Sequence, residues 1–190
     1  MKKYLFIVLL VGIWSCEDTE EKPTIKFLKM SEVLSIGGYD AVETTNNEYF
    51  VVGRRDSDIY DTNQCMALLK IGSDGNEIWY KTYYSVNDGS SLISSIDLVN
   101  DGGLIMGGNN FNNLSEINTP ALLKADSDGN LEWYKEYELN TTISNNEFVT
   151  DVKTTSNNEY IFSTFYNVRK SNTNGDLEWI YNIEGSCISM

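Results

Sequence analysis

One phrase occurs three times in this chain, and it constrains the fold more than any other feature of the sequence. The copies are LLKIGSDGNEIWYKTY at Leu68–Tyr83, LLKADSDGNLEWYKEY at Leu122–Tyr137 and VRKSNTNGDLEWIYNI at Val168–Ile183. Each copy joins an apolar run, an Asx-Gly pair and a second run with a tryptophan, which is the pattern of a β-hairpin. A unit repeated along the chain predicts an architecture of similar modules that pack on their neighbours.

A second hairpin phrase precedes each copy of the first. These phrases are AVETTNNEYFVVG at Ala41–Gly53, IDLVNDGGLIMGG at Ile96–Gly108 and VKTTSNNEYIFST at Val152–Thr164. The complete unit therefore has four strands in about 40–50 residues, which is typical of a β-propeller blade. We predict an all-β fold with about three four-stranded antiparallel propeller-like blades, near residues 39–84, 92–138 and 147–184 of a domain at 24–190.

The residues that recur in every copy have structural interpretations. We expect the tryptophans to pack between neighbouring blades, the lysines at the end of each third strand to extend into solvent, and the glycines to take the left-handed turn position. The sets are Trp79, Trp133 and Trp179; Lys70, Lys124 and Lys170; and Gly75, Gly129 and Gly175.

From Tyr39 to Glu184 the combined repeat resembles the blades of bacterial extracytoplasmic propellers, including quinoprotein-like ones. The resemblance implies a fold and supplies no catalytic residues. Three blades are fewer than the four to eight of a typical closed ring, so we predict a partial or open propeller. Three explanations remain open: a shortened member of a longer family, self-association that completes the propeller, or an open stack of blades.

The first sixteen residues have the pattern of a signal peptide. Lys2 and Lys3 precede an apolar stretch at Tyr4–Trp14, whose 11 residues fall short of the ~20 that span a bilayer as a helix. The segment ends in a small residue before Cys16 and resembles the lipobox of bacterial lipoproteins, which implies lipidation of Cys16. The alternative is an ordinary secreted protein in which this cysteine is incidental.

An acidic segment, Glu17–Pro23, follows Cys16 and is expected to be a disordered tether. It is similar to the surface-export signals of some outer-membrane lipoproteins, and a plain linker is the alternative. The expected location is therefore the bacterial cell envelope, at the outer membrane and on the cell surface, with the lipid anchor as the membrane contact.

Composition excludes several classes of function. The formal charge of −14 repels phosphate backbones, so nucleic acid is not expected as a partner. The chain has no histidine, which removes Ser-His-Asp catalysis and histidine-ligated metal sites. The loop that starts at Asp126 resembles the opening of a calcium loop, but its twelfth position is Tyr137 rather than glutamate. We therefore predict no metal, cofactor or catalytic residue, while carboxylate-only glycoside hydrolysis stays open.

The links between the second and third strands vary most between copies, at residues 54–64 and 109–120. Variable loops on a rigid frame often carry binding sites. We predict an anionic or glycan ligand there, and the alternative is a solvated loop without a ligand. The candidate residues are Arg54, Arg55, Tyr60, Asn109, Asn110 and Phe111.

The sequence thus favours a surface-tethered, non-enzymatic binding or scaffold module with a glycan or protein ligand. The alternative is a fragment of a propeller enzyme or sensor that acts on glycans or other extracellular substrates. The remaining cysteines, Cys65 and Cys187, are expected to be two separate thiols rather than a disulfide.

Overall fold

The computed structural model describes residues 36–56, 64–84, 90–112, 115–139 and 146–183. Within these ranges, twelve strands form three four-stranded antiparallel sheets, and inside each sheet every strand is paired with the next one along the chain. The prediction of an all-β fold with three propeller-like blades is confirmed. We number the sheets blade 1, blade 2 and blade 3 in chain order.

The strand bounds follow the repeat. Blade 1 consists of β1 Ile36–Glu43, β2 Tyr49–Asp56, β3 Gln64–Ile71 and β4 Glu77–Tyr83. Blade 2 consists of β5 Ser91–Leu98, β6 Leu104–Asn112, β7 Ile117–Ala125 and β8 Leu131–Glu136. Blade 3 consists of β9 Asp151–Thr154, β10 Tyr160–Ser163, β11 Asn167–Ser171 and β12 Leu177–Asn182.

Two central hairpins are longer than the sequence predicts. The sequence pattern places the starts of loops at residues 54 and 109. Strand β2 instead continues to Asp56, and β6 continues to Asn112. The antiparallel pairing simply continues, with Arg55 opposite Cys65 and Phe111 opposite Asn118. Backbone pairing satisfies N–H and C=O groups whatever the side chains are, so polar residues do not end a strand that has a partner.

The hairpin turns have the backbone conformation that their Asn, Asp and Gly residues predict. Gly75, Gly129 and Gly175 have φ angles of 75°, 73° and 78°. In the other turn, Asn47 and Asn158 have φ angles of 58° and 61°, and Gly102 stands at the equivalent position with 84°. Only glycine and, less readily, asparagine take this left-handed region without a large penalty.

The hydrophobic core lies between blades rather than inside any one of them. One buried cluster joins blades 1 and 2, and it includes Phe50, Leu68, Ile93 and Met106. A second cluster joins blades 2 and 3 and is formed by Val99, Ile105, Leu122, Tyr137, Val149, Val152, Tyr160 and Phe162. Each sheet is therefore stabilised by apolar area that it buries against its neighbours.

A contact between a tryptophan and a turn is repeated at both blade interfaces. The ring of Trp79 lies under the turn of blade 2, so close that a Cβ added to Gly129 would be 2.7 Å from Trp79 Cη2. Tyr83 of the same strand donates a hydrogen bond from its hydroxyl to the Gly129 carbonyl at 2.9 Å. Lys81 Nζ donates to Asn130 Oδ1 at 2.7 Å.

The second interface reproduces this arrangement with blade 2 and blade 3. A Cβ on Gly175 would be 2.8 Å from Trp133 Cη2, and the Tyr137 hydroxyl donates to the Gly175 carbonyl at 2.8 Å. Lys135 forms an ion pair with Asp176. The prediction that tryptophans pack between blades is thus confirmed for Trp79 and Trp133. Within the described part of one chain Trp179 does not pack between blades, since it is 43% exposed on β12.

Candidate functional site

A groove of about 620 Å³ opens between blades 1 and 2, at the end of the sheets where the β1–β2 and β5–β6 turns meet. Its walls combine hydroxyl, amide and charged side chains with apolar ones. The lining residues are Thr44, Thr45, Asn46, Glu48, Phe50, Lys70, Leu98, Val99, Asn100, Gly102, Ser127 and Asp128.

Short-range hydrogen bonds hold the wall of the groove that belongs to blade 1. The Thr44 N–H donates to the Glu48 carbonyl at 2.8 Å, and the Glu48 N–H donates to Thr44 Oγ1 at 3.2 Å. Asn47 takes the left-handed position in the middle of this turn. The side chains of Thr45 and Asn46 are exposed at its tip, where they can meet a ligand.

The wall that belongs to blade 2 has the same construction. The Val99 N–H donates to the Gly103 carbonyl at 2.9 Å, and Asp101 Oδ1 accepts from the Gly103 N–H at 2.7 Å. These bonds fix the backbone of the turn and leave the Asn100 side chain exposed. Two rigid turns therefore face each other across the groove, which reduces the entropy lost when a ligand binds.

Lys70 is the cationic group of the groove. Its Nζ lies 2.9 Å from Glu48 Oε2 and 5.4 Å from the centroid of the Phe50 ring. The side chains of Lys70 and Glu48 are 17% and 28% exposed, so both still reach solvent. A lysine ammonium has three donors, and those not used by Glu48 can bond a ligand hydroxyl or carbonyl.

The equivalent lysine of blade 2 has a different environment, and the prediction that it extends into solvent is wrong. Lys124 is 3% exposed, with Nζ 3.0 Å from Asp101 Oδ2 and 2.9 Å from Glu132 Oε2. Burial would lower the pKa of Lys124, but the bonds to Glu132 and Asp101 outweigh burial and raise it. In blade 1 the positions of Asp101 and Glu132 hold Asn46 and Ile78, which carry no charge. Lys70 therefore keeps N–H donors that Lys124 uses for its two carboxylates.

The arginines predicted as ligand contacts lie at the opposite end of blade 1. Arg54 and Arg55 are in β2, opposite Met66 and Cys65 of β3. The Arg55 guanidinium carbon is 5.4 Å from the centre of the Tyr80 ring, and its Nε is buried without a hydrogen-bond partner in the described part of the chain. Tyr60 lies outside the described residues. The role of these residues in binding stays a prediction.

The asparagines predicted at the loop of blade 2 are buried in strand β6. Asn109 and Asn110 are 6% and 1% exposed. Asn109 Nδ2 donates to Asn118 Oδ1 at 2.6 Å, and Asn110 Nδ2 donates to Glu136 Oε1 at 2.7 Å. Phe111 follows them in β6 and is half-buried. These bonds give the amides a clear structural role, and their role in ligand binding also stays a prediction.

A polar contact that the sequence did not reveal joins the first strands of all three blades. Asp40, Ser95 and Asp151 stand at equivalent positions of β1, β5 and β9. Ser95 Oγ lies 3.2 Å from Asp40 Oδ2 and 3.0 Å from Asp151 Oδ1, and it accepts from the Val152 N–H at 3.2 Å. Asp40 also accepts from the Ile96 N–H at 3.0 Å. These bonds connect neighbouring blades at their innermost strands.

The described residues contain neither a membrane-spanning helix nor a cluster of metal-ligating side chains. None of them forms a helix long and apolar enough to cross a membrane. Nor do they bring together three or more acidic or cysteine side chains that could hold a metal ion. The Cys65 side chain is buried in β3, and Cys187 lies outside the described residues.

The groove was missed in the sequence because most of its lining residues belong to short turns with ordinary turn chemistry. One signal was available: a glutamate stands before the tryptophan in two copies, at Glu132 and Glu178, whereas Ile78 stands there in the first. Lys70 therefore lacks the glutamate partner that Lys124 has in Glu132 and Lys170 has in Glu178.

No protein-family model matches this sequence, and no match was found among curated proteins. Among solved structures, the chain is similar to a protein of unknown function from Bacteroides caccae, with 14% identity and a TM-score of 0.54. That likeness covers 80% of this chain and 48% of the other. A gluconolactonase-like protein gives a TM-score of 0.47 at 9% identity, over 82% of this chain and 51% of the other. The chain therefore spans about half the length of the structures it matches, and the first likeness supports the fold alone.

Proposed function

We propose that this protein is a binding module of the bacterial cell envelope that holds a glycan in the groove between blades 1 and 2. The observation that carries the proposal is Lys70, whose ammonium group lies beside both the Phe50 ring and Glu48 in an open groove of about 620 Å³. The groove is within the size range of small-ligand sites.

The chemistry of the lining suits a ligand with many hydroxyl groups. Thr44, Thr45, Asn46 and Asn100 offer hydroxyl and amide groups that can both donate and accept hydrogen bonds. Phe50 is buried beneath the groove, and the half-buried Leu98 offers the apolar area that the nonpolar face of a sugar ring requires. A polyanionic ligand fits less well because the whole chain carries a formal charge of −14.

The place of this module in the cell rests on the leader. We propose that Cys16 is lipidated and that Glu17–Pro23 tethers the blades to the membrane, because several acyl chains give durable anchoring. Replacing Cys16→Ser should move the protein from the membrane pellet to the soluble fraction, whereas the control Cys187→Ser should not. Unchanged partition of Cys16→Ser would refute the anchor.

Binding can be tested on an array of neutral and acidic glycans, followed by titration of the best ligand. Lys70→Met should weaken that binding by about tenfold or more, since a hydrogen bond to a charged group contributes about 1.5–3 kcal/mol. Lys170→Met is the matched control, because it removes the equivalent lysine of blade 3, which pairs with Glu159 and Glu178 away from the groove. Equal affinity of wild type and Lys70→Met, or no glycan bound by the wild type, would contradict the proposal.

A further inference from the structure

Each blade has two faces with different partners. We call the face that contacts the following blade its downstream face, and the face that contacts the preceding blade its upstream face. In blade 1 the downstream face includes Phe50, Leu68 and Trp79. In blade 2 the upstream face includes Leu104 and Met106, both completely buried. The two interfaces inside the chain pair these faces in the same order.

The downstream face of blade 3 is apolar and exposed. Trp179 occupies the position of Trp79 and Trp133, yet it is 43% exposed, and its neighbour Tyr181 is 68% exposed. Ile161 and Val168, which correspond to Phe50 and Leu68, are only half-buried. A shallow groove of about 160 Å³ lies on this face between Ile161, Val168 and Asp151.

The upstream face of blade 1 is the complementary surface. Tyr49 is 38% exposed and Val51, Leu69 and Ile71 are half-buried. The residues at the same positions of blade 2, which are Leu104, Met106, Leu123 and Ala125, are at most 1% exposed. Blade 1 thus carries the apolar side chains of an upstream face without the burial that blade 2 achieves.

The turn that would meet Trp179 is also present in blade 1. The Gly75 N–H donates to the Gly72 carbonyl at 2.9 Å, and the Gly129 N–H donates to the Asp126 carbonyl at the same distance. The φ angle of Gly75 is 75°, against 73° for Gly129. Gly75 is half-buried, whereas Gly129 is fully buried beneath a tryptophan. The turn therefore has the shape that accepts an indole ring in the two internal interfaces.

We propose that two copies of this chain associate head to tail, with the upstream face of blade 1 in each copy on the downstream face of blade 3 in the other. Two such interfaces would close a ring of six blades, within the four to eight of typical propellers. A second copy is the favoured occupant because one chain presents both halves of an interface that it already uses twice internally. Contacts between two different faces form a closed ring only if the rotation from one copy to the next closes the circle. Two copies related by a two-fold axis would meet this condition, each contributing three of the six blades.

At two positions the proposed interface is more apolar than the internal ones. Tyr181 and Ile183 replace the lysine and tyrosine that hold the turn at the other interfaces. The hydrogen bond from a tyrosine hydroxyl to a glycine carbonyl is therefore replaced by apolar contact. Exposed aromatic residues such as Trp179 and Tyr181 are the side chains that contribute most to protein association.

The first test is the mass of the full chain bearing Cys16→Ser, measured by light scattering, in detergent if the protein stays with membranes. We expect about twice the mass of one chain, and Trp179→Lys should halve it. Ile78→Glu is the matched control, because Ile78 is 49% exposed on β4 and the other blades have glutamate at that position. A monomeric wild type, or a dimer unaffected by Trp179→Lys, would overturn the proposal.

The second test addresses the direction of the contact. Tyr49→Lys should also give monomers, and circular dichroism should show that both variants keep their β structure. When the two variants are mixed, the intact downstream face of one can meet the intact upstream face of the other, so dimers should reappear. If the mixture stays monomeric, the head-to-tail arrangement is wrong. Glycan binding by the groove lies within one chain and is measured independently of this result.

Discussion

Replacement of Gly129 by alanine tests the contact that joins the blades. Gly129 has a φ angle of 73°, and an added Cβ would lie 2.7 Å from Trp79 Cη2 and 3.1 Å from Lys81 Cδ. Contacts below about 3 Å cannot be kept, so the indole ring or the turn must move. Because this ring also packs against the first core cluster, its displacement should loosen the whole interface between blades 1 and 2.

The expected cost has two parts. The left-handed backbone conformation costs alanine about 1–2 kcal/mol relative to glycine. Overpacking against a side chain held by its neighbours typically costs about 1–3 kcal/mol more. Gly129→Ala should therefore lower the free energy of unfolding by about 2–5 kcal/mol.

The chain contains a matched control for the first part. Gly102 has a φ angle of 84°, but an added Cβ there would meet no atom within 4 Å. Gly102→Ala should thus cost only the backbone part, about 1–2 kcal/mol. Urea unfolding of both variants, followed by tryptophan fluorescence, measures the difference.

The same substitution in a Trp79→Leu chain tests whether the indole ring causes the additional cost. In a Trp79→Leu chain the indole ring is absent, so the additional cost of Gly129→Ala should fall to that of Gly102→Ala. The contact between Gly129 and Trp79 is refuted if Gly129→Ala and Gly102→Ala destabilise the wild-type chain equally. It is also refuted if removal of the Trp79 ring leaves the cost of Gly129→Ala unchanged, because the two sites would then be uncoupled.

Two further predictions concern buried polar groups of the interface between blades 2 and 3. Arg169 and Glu147 form an ion pair at 2.6 Å with side chains 1% and 0% exposed, so Glu147→Gln should cost about 3–5 kcal/mol of stability by leaving a buried cation without its counterion. Urea unfolding measures this, and a loss below about 1 kcal/mol would contradict it. Burial raises the pKa of Tyr137 to about 12, so the folded state keeps a proton that the unfolded chain loses near pH 10. Its stabilisation is present below pH 10 and is lost as the pH rises through 12, and Tyr137→Phe should flatten this decline in the unfolding free energy between those values; parallel curves for both proteins would exclude Tyr137 as the titrating group.

The local pattern of the sequence predicted the blades because hairpins are encoded by neighbours. Turn residues such as Asn47 and Gly129 take the left-handed conformation wherever they stand, and the strands between them pair with the next segment of chain. The count of three blades and the packing of Trp79 and Trp133 between them followed from the repeat. Strand ends were less predictable, because backbone pairing carried β2 and β6 past polar residues.

Tertiary structure decided most of how equivalent positions of the repeat differ in use. Lys70 and Lys124 occupy the same place in their blades, yet Lys124 is enclosed by two carboxylates and Lys70 faces an open groove. Ser95 lies between Asp40 and Asp151, which are each about fifty-five residues away in the chain. Such contacts depend on how one sheet stacks on the next, and the period of the sequence carries no information about that stacking. The sequence therefore determined the modules, and the packing of the modules determined which side chains are left available for a ligand or a partner.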